Sequence, residues 1–485
     1  MRGQFMTPKV ILALLVAVPL LTSFLLPFIG KVSLRARNLL SLLAVLFSFG
    51  CALALLPSVL AGNGPAIDFD FGFGREMFFA DKLAVFMAIV SSMVGAVIVL
   101  YSFGYISHYP NQNEYYFMVV LFLGSMMGLV FAANLIILYV FWELTAVASW
   151  RLIGFFREKE QVIRADKAFM VTFFGALCML VGFIAILPVS GSFDISAVSQ
   201  AFRGQTVPNY IVCLILAGLF AKSATLPMQT WLPDAGVAPS PVTALLHAAV
   251  LVKIGVYVYA RLLVVVLPVA EIWHTIVPVV AGLSAIISAG AALIETDLKR
   301  IIAYSTISQI GFIFLGFAVG GELAISGALL YILMHGMAKG GLFLCAGIVE
   351  QKTHTKDITK LGGLISSMPV TAISFLICAF SVMGLPPLGG FFSKYSVIAG
   401  AVVSGHPWLA LVYVAAAVLT IIYLLRVFVM VFMGPAQKHA AEGSPVMVFS
   451  VALLAFLSII SGLLITPPFD FAGSAAQQML GMIVK

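Results

Sequence analysis

Charge is what this chain has least of. Charged residues make up 9% of its 485 positions and hydrophobic residues 62%, against about 25% charged in ordinary soluble proteins. That balance excludes a soluble globular domain. Long apolar runs point to helices, which satisfy their own backbone groups in lipid, so the fold class is an all-α polytopic membrane protein. Clustered cysteine is also missing. The five cysteines, Cys51, Cys178, Cys213, Cys345 and Cys378, are scattered through apolar runs, which excludes a disulfide or metal framework and leaves them as small buried hydrophobes. No glycine-rich phosphate loop is present, and no polar stretch is long enough to hold a flavin, an iron–sulfur cluster or a nucleotide. No cofactor is therefore expected. The net charge of +7 would suggest nucleic acid in a soluble protein. Here it reflects Lys and Arg gathered in loops on one side of a bilayer, and the expected environment is lipid, with no nucleic-acid partner.

What the chain has is apolar runs of about 20 residues, the length that crosses a bilayer. Fourteen are expected, at about 9–29, 39–61, 81–106, 115–132, 134–153, 164–189, 208–226, 241–264, 270–294, 300–319, 323–348, 369–401, 407–433 and 446–466. The first lacks a small-residue cleavage site and is followed by Lys31, Arg35 and Arg37, so it reads as a retained helix. The seventh and twelfth are interrupted, the twelfth by Gly384 to Gly390. Two Gly/Pro-broken segments five apart suggest two five-helix repeats, inverted because five is odd. The expected division is 1–110, a three-helix segment; 111–265 and 266–435, the two repeats; and 436–485, a C-terminal helix. Gly62 to Asp81 reads as an external hairpin, and Gly191 to Gln205 as a surface connection with some amphipathic helix. Thirteen of the 26 Lys and Arg fall in loops on one side, Arg37, Lys299 and Lys438 among them. Seven fall on the other, including Arg2, Arg261 and Lys485. By the excess of cations in cytoplasmic loops, both termini are expected outside the plasma membrane of a prokaryote.

The remaining charges lie inside the runs. Ile211 to Arg261 holds two apolar stretches, each with an interior lysine, Lys222 and Lys253. Between them Pro227, Pro233, Gly236, Pro239 and Pro241 break any helix. A lysine near the bilayer centre costs ~2.5–3.5 kcal/mol, so one kept there usually has work to do. The plainer reading is that each sits near a helix end and snorkels. Glu143 lies within ANLIILYVFWELTAVASW, where a nearby lysine would let both groups ionise; Lys222 is the candidate partner. His247 precedes Lys253 by six residues, His335 and Lys339 are four apart on one face, and Lys394 follows the second break. Ser305, Thr306, Ser308 and Gln309 could hold water in the tenth run. Any one histidine could be a packing residue. The series as a whole describes a proton relay.

The runs FWELTAVASW, AKSATLPMQTWLPDAGVAPSPVTALLHAAVLVKIGVYVYAR, DLKRIIAYSTISQIGF, HGMAKGGLFLCAG and GLPPLGGFFSK resemble the antiporter-like subunits. This family is shared by respiratory complex I, energy-converting membrane hydrogenases and Mrp-type cation/proton antiporters, subunits A and D. The resemblance covers roughly residues 115 to 430. It implies fourteen helices, two inverted five-helix repeats and a hydrophilic axis halfway through the membrane. On that axis Glu143 matches the fifth-helix glutamate, Lys222 and Lys253 the seventh- and eighth-helix lysines, and Lys394 the twelfth-helix terminal lysine. His247 matches a histidine of some members, and His335 and Lys339 lie in the eleventh-helix motif. The implied partners are other membrane subunits of a multisubunit complex, further antiporter-like subunits among them, with H⁺ and, as an open alternative, Na⁺ as the ions. Two departures stand out: Arg151 falls where an apolar residue is expected, and the chain stops after the fourteenth run. The second implies a compact member without a long lateral helix or an extra membrane domain. The chain itself is then a transporter subunit, and whether its complex is an oxidoreductase of the NADH–quinone or hydrogenase type stays open. The rival readings are a stand-alone solute transporter and a structural membrane anchor.

Overall fold

Helices begin where a small polar side chain or a proline relieves the backbone N–H groups that a first turn cannot satisfy. Ser33, Asp81, Asn134 and Asp297 accept from backbone N–H groups at four such starts, and prolines open four others. The computed structural model describes residues 7–435 and 440–484; Arg2, Lys438 and Lys485 lie outside the described residues. The order is α1 (Pro8–Val32), α2 (Leu34–Leu60), β1 (Ala66–Asp68), β2 (Glu76–Phe79), α3 (Lys82–Tyr105), α4 (Gln112–Phe131), α5 (Leu135–Ile153), α6 (Lys159–Ser190), α7 (Ile195–Ala201) and α8 (Asn209–Ser223). After a short turn, Trp231–Asp234, come α9 (Ser240–Val266), α10 (Trp273–Ile294), α11 (Leu298–Ala318), α12 (Glu322–Thr353), α13 (Pro369–Met383), α14 (Gly389–Val403), α15 (Pro407–Phe432), α16 (Pro445–Leu463) and α17 (Thr466–Val484).

Among the described residues, twelve helices are long and apolar enough to cross a membrane, while α8, α13 and α14 are shorter apolar helices. The count differs from fourteen because the seventh and twelfth runs are broken. Ala224, at φ 52°, ends α8, and Gly384, at φ +83°, ends α13 ahead of Pro386 and Pro387, which have no N–H to continue a helix. The apolar window of α11 and of α12 is 94% buried, that of α1, α2, α6, α15 and α16 only 39%. So α11 and α12 form the core, and the outer helices turn residues such as Met170, Phe174, Leu411 and Val418 outward, as a lipid-facing surface requires. α12 packs against α3, α9, α11, α13, α14, α16 and α17.

The hairpin expected at Gly62 to Asp81 is present as β1 and β2, paired antiparallel with Ala66 opposite Phe79. The Asp194 carboxylate, at the start of α7, accepts from the Arg75 backbone N–H (3.0 Å) and from Asn134 Nδ2 (2.7 Å), fastening the hairpin to α5 and α7.

Three expectations need correction. The eighth run is one helix only in outline, because wide π turns at Leu245–Ala249 and Ala260–Val266 interrupt it; one extra residue per turn leaves apolar composition unchanged. The stretch after 436 holds two helices, and α17 folds back onto α3, α12 and the end of α9. Arg37, Arg261 and Lys299 are buried, although their positions at the ends of apolar runs suggested loops. Each points inward to a partner on another element. Arg37 donates to Asn113 (2.6 Å) and Gln112 (2.9 Å), Lys299 pairs with Glu350 (2.9 Å), and Arg261 pairs with Asp81.

Candidate functional site

Four buried lysines share one mode of attachment: each amine donates to a main-chain carbonyl. Lys222, in the last turn of α8, reaches the Trp142 oxygen of α5 (3.1 Å) and lies 5.1 Å over the indole. Trp231 Nε1 donates to the Ala221 oxygen (2.9 Å), folding the chain after α8 back against that turn. Lys253 donates to the Ala248 oxygen within its own helix, where the first π turn widens the ladder. Lys339 reaches the Ile302 oxygen (3.1 Å), and Lys394 the Val382 oxygen (2.7 Å) at the end of α13. A helix end offers partial negative charge, so the break before Lys394 supplies what a carboxylate otherwise would. Among the described residues, none of the four is in an ion pair.

Glu143 is half-buried in α5. The expected ion pair with Lys222 is not formed. The lysine takes the carbonyl one residue before Glu143, within reach of its charge but not in contact. Glu143 Oε1 has no hydrogen-bond partner in the protein, and neither do the ring nitrogens of His247 and His335. His247 sits in the first π turn, its ring 4.4 Å from that of Phe343. His335 sits within range of the charges of Lys253, Lys339, His247 and Lys394. At Gly336, beside it, an added Cβ would come 2.7 Å from Lys253 Nζ, so the bare backbone of α12 is what lets α9 deliver its amine there. Lys253 thus joins α9 to α12.

The second half carries a continuous set of hydrogen bonds. Lys339 donates to Ser305 Oγ (2.5 Å), which also receives the Tyr423 hydroxyl (2.7 Å). Gln309 Nε2 reaches Tyr423 (3.4 Å) and Thr420 (3.1 Å), and its Oε1 accepts from Tyr331 (2.6 Å). Lys394 Nζ lies 5.7 Å over the Tyr331 ring and 4.6 Å over that of Phe312. Ser305 and Gln309 are visible in the sequence as polar residues in an apolar run. Tyr331, Thr420 and Tyr423 are not, since tyrosine and threonine are ordinary on apolar helices.

Two other charges find their reason here. Arg151 pairs with Glu114 in the first turn of α4, which Arg157 shares at 2.6 Å; its partner lies on another helix, so position in the run could not reveal it. Asp234, in the turn after Lys222, bonds Lys167 (2.7 Å) and Arg300 (2.8 Å). Burial pushes its carboxyl up, but the two cations outweigh this and hold it below the usual carboxylate range. This clamp ties α6, the break and α11 together under Lys222.

Residues 132–420, which include Glu143, Lys222, His247, Lys253, His335, Lys339 and Lys394, match the family described as NADH:quinone oxidoreductase/Mrp antiporter, TM. Residues 68–116 match NADH-Ubiquinone oxidoreductase (complex I), chain 5 N-terminus. The chain is 33% identical over 492 residues to the Na(+)/H(+) antiporter subunit A1 of Staphylococcus aureus, covering 93% of this chain and 61% of that protein. Against its namesake from Staphylococcus haemolyticus it is 34% identical over 420 residues, covering 79% and 52%. The chain therefore spans about half to three fifths of the length of these relatives. In fold it is similar to a chain of the Mrp complex from Dietzia sp. DQ12-45-1b, with a TM-score of 0.90 at 23% identity over 98% of both chains. A chain of the archaeal membrane-bound sulfane sulfur reductase gives 0.87 at 24%, covering 98% of this chain and 99% of that one. One of respiratory complex I from Thermus thermophilus gives 0.85 at 22%, covering 97% and 99%.

Proposed function

The chain belongs to the NADH:quinone oxidoreductase/Mrp antiporter transmembrane family, and from that premise we propose that it is a proton-translocating subunit of a multisubunit cation/proton antiporter. Its partners are other membrane subunits, further antiporter-like ones included, and the names of its relatives supply Na⁺ as the exchanged ion. The chain lies in a prokaryotic plasma membrane with the β1–β2 hairpin and both termini outside. The twelve long helices among the described residues and the two broken passages, the seventh run at α8 and the twelfth at α13 and α14, make fourteen crossings, ten of them in two inverted five-helix units.

One observation carries this reading: four buried lysines with no carboxylate in ion-pair contact among the described residues lie on two halves that meet where Lys253 rests on Gly336. Breaking a buried charge pair costs about 3–5 kcal/mol, and each ~1.4 kcal/mol is a tenfold change in equilibrium. When Glu143 approaches Lys222 the ammonium is favoured; when it withdraws, the proton moves on toward His247 and Lys253. From there His335 and Lys339 carry it to the hydroxyls of Ser305 and Tyr423. Gln309 orients Tyr331, and Lys394 is the terminal site. His247 and His335, whose nitrogens lack protein partners, take water, as buried polar groups do. The displacement of Glu143 is driven by a neighbouring subunit. The test is ion transport by the complex in proteoliposomes carrying Glu143→Gln or Lys222→Ala. Each abolishes transport while the complex still assembles, and normal transport in either removes the switch.

A further inference from the structure

A cavity of about 750 Å³ lies between the hairpin, α7 and the end of α9. Asp68, Glu76, Ser196, Ser199 and Arg203 line it, and Arg261 closes one wall. Arg261 is only 7% exposed and Asp81 only 2%. The pair is bidentate, Nη1 to Oδ2 at 2.5 Å and Nη2 to Oδ1 at 2.7 Å. Arg261 Nη2 also donates to the Tyr257 hydroxyl (3.1 Å), whose own proton goes to the Val130 carbonyl. Lys253, Tyr257 and Arg261 are spaced by four on α9, so they share one face, and the eight residues from Lys253 to Arg261 span about 12 Å of helix. The line therefore runs from the cavity to the lysine at the junction of the two halves.

Stability does not account for such a pair. A buried ion pair is often no better for the fold than apolar residues of the same volume. Its geometry is what is distinctive, because a bidentate guanidinium–carboxylate contact holds one arrangement. The second π turn begins at Ala260, immediately before Arg261, and such turns recur at functional sites. The geometry points to Asp81, Arg261 and Tyr257 as a gate between this cavity and Lys253, the cavity being the mouth through which protons enter or leave on the hairpin face.

With the gate shut, Arg261 and Asp81 neutralise each other and the carboxylate is closed to water in the cavity. With Arg261 turned away, the Asp81 carboxylate takes a proton from water in the cavity. The Tyr257 oxygen then accepts that proton while its hydroxyl gives its own to water, which passes a proton on to the unprotonated Lys253 amine, so protons balance at each centre. The inference rests on Lys253 being part of the transport axis.

The test uses the whole complex in proteoliposomes with a pH-sensitive dye inside. Arg261→Lys keeps the charge but loses the fork, and passive proton leak without any drive rises about tenfold. Ser199→Trp fills the cavity away from the gate and slows coupled transport several-fold. Lys253→Met separates the two levels of the account. If that variant transports at the wild-type rate, the axis and the gate both fail. If it is blocked, but assembled Arg261→Lys is as tight as wild type, the gate alone is overturned; wild-type transport by Ser199→Trp likewise removes the mouth. Should Arg261→Lys not assemble, Tyr257→Phe keeps the packing and removes the relaying hydroxyl. It then transports several-fold more slowly, and a wild-type rate overturns the gate.

Discussion

The two halves of the proposed axis hold their lysines in different company. Around Lys222 and Lys253 the neighbouring groups are sparsely bonded: Glu143 Oε1 and both His247 nitrogens have no protein partner, nor has His335 on α12, and the Glu143 carboxylate meets only Tyr139. Between Lys339 and Tyr331, hydrogen bonds run unbroken through Ser305, Tyr423 and Gln309. An unsatisfied group changes partner at little cost, whereas a satisfied network resists any rearrangement that leaves a buried donor unmade. In the proposed relay, then, the first half is the part that switches and the second the part that conducts along a fixed line.

The largest effect expected within the second half is at its end. Lys394→Ala stops transport, by about a hundredfold or more, the scale of a lost proton-transfer group. Lys394→Glu retains part of the rate because it still gains and loses a proton, and Lys394→Arg retains less because a guanidinium hardly deprotonates. These rates are read in proteoliposomes. Wild-type transport by Lys394→Ala would move the outlet elsewhere, with His335 the next place to look.

A sharper contrast follows from one substitution in each half. Glu143→Asp keeps the charge and shortens the side chain by one methylene, and the carboxylate is held only by Tyr139 while its Oε1 has no partner, so transport falls by less than about threefold. Tyr423→Phe removes a single hydroxyl from the bonded line, a loss of about 1 kcal/mol or more and hence about five- to tenfold in rate. If Glu143→Asp proved the more damaging of the two, the contrast between a loose half and a fixed half would be wrong.

These particular residues also show how far the chain could be read without its structure. Glu143, Lys222, Lys253, Lys339 and Lys394 stood out because charge inside an apolar run is rare and expensive. The interruptions at Pro227 to Pro241 and at Gly384 to Gly390 were visible for the same kind of reason, since Pro and Gly have few roles inside a spanning helix. The Tyr331–Gln309–Tyr423 line was hidden because its members come from three helices and two are aromatic. Asp81 and Arg261 were hidden by the 180 positions between them and by lying at the ends of apolar runs, where charges usually face water. The lysine-to-carbonyl bonds were out of reach altogether, because backbone acceptors have no signature in composition.

The smallest effect lies outside the spans, at the Asp234 clamp beneath Lys222. Its carboxyl is held low in the folded state, so its contribution is full above the unfolded value of about 3.9 and is lost as pH falls through the lower folded value. Partly exposed pairs of this kind contribute about 0.2–1 kcal/mol. Asp234→Asn accordingly lowers the Tm of the purified complex by about 1–2 °C near pH 7. The difference from wild type shrinks as the pH drops below 4, and a difference that grows on acidification would contradict the assignment.

In the proposed relay both halves depend on one junction, the Lys253 amine against Gly336. Lys253→Met has nearly the volume of lysine and no charge, and an apolar replacement of a buried charge is well tolerated by a fold, so the complex assembles. Proton flux through that complex in sealed vesicles, compared with wild type under the same drive, tests the account most directly. Flux at least about a hundredfold lower is the predicted result, and flux equal to wild type would mean that the two halves are not one path.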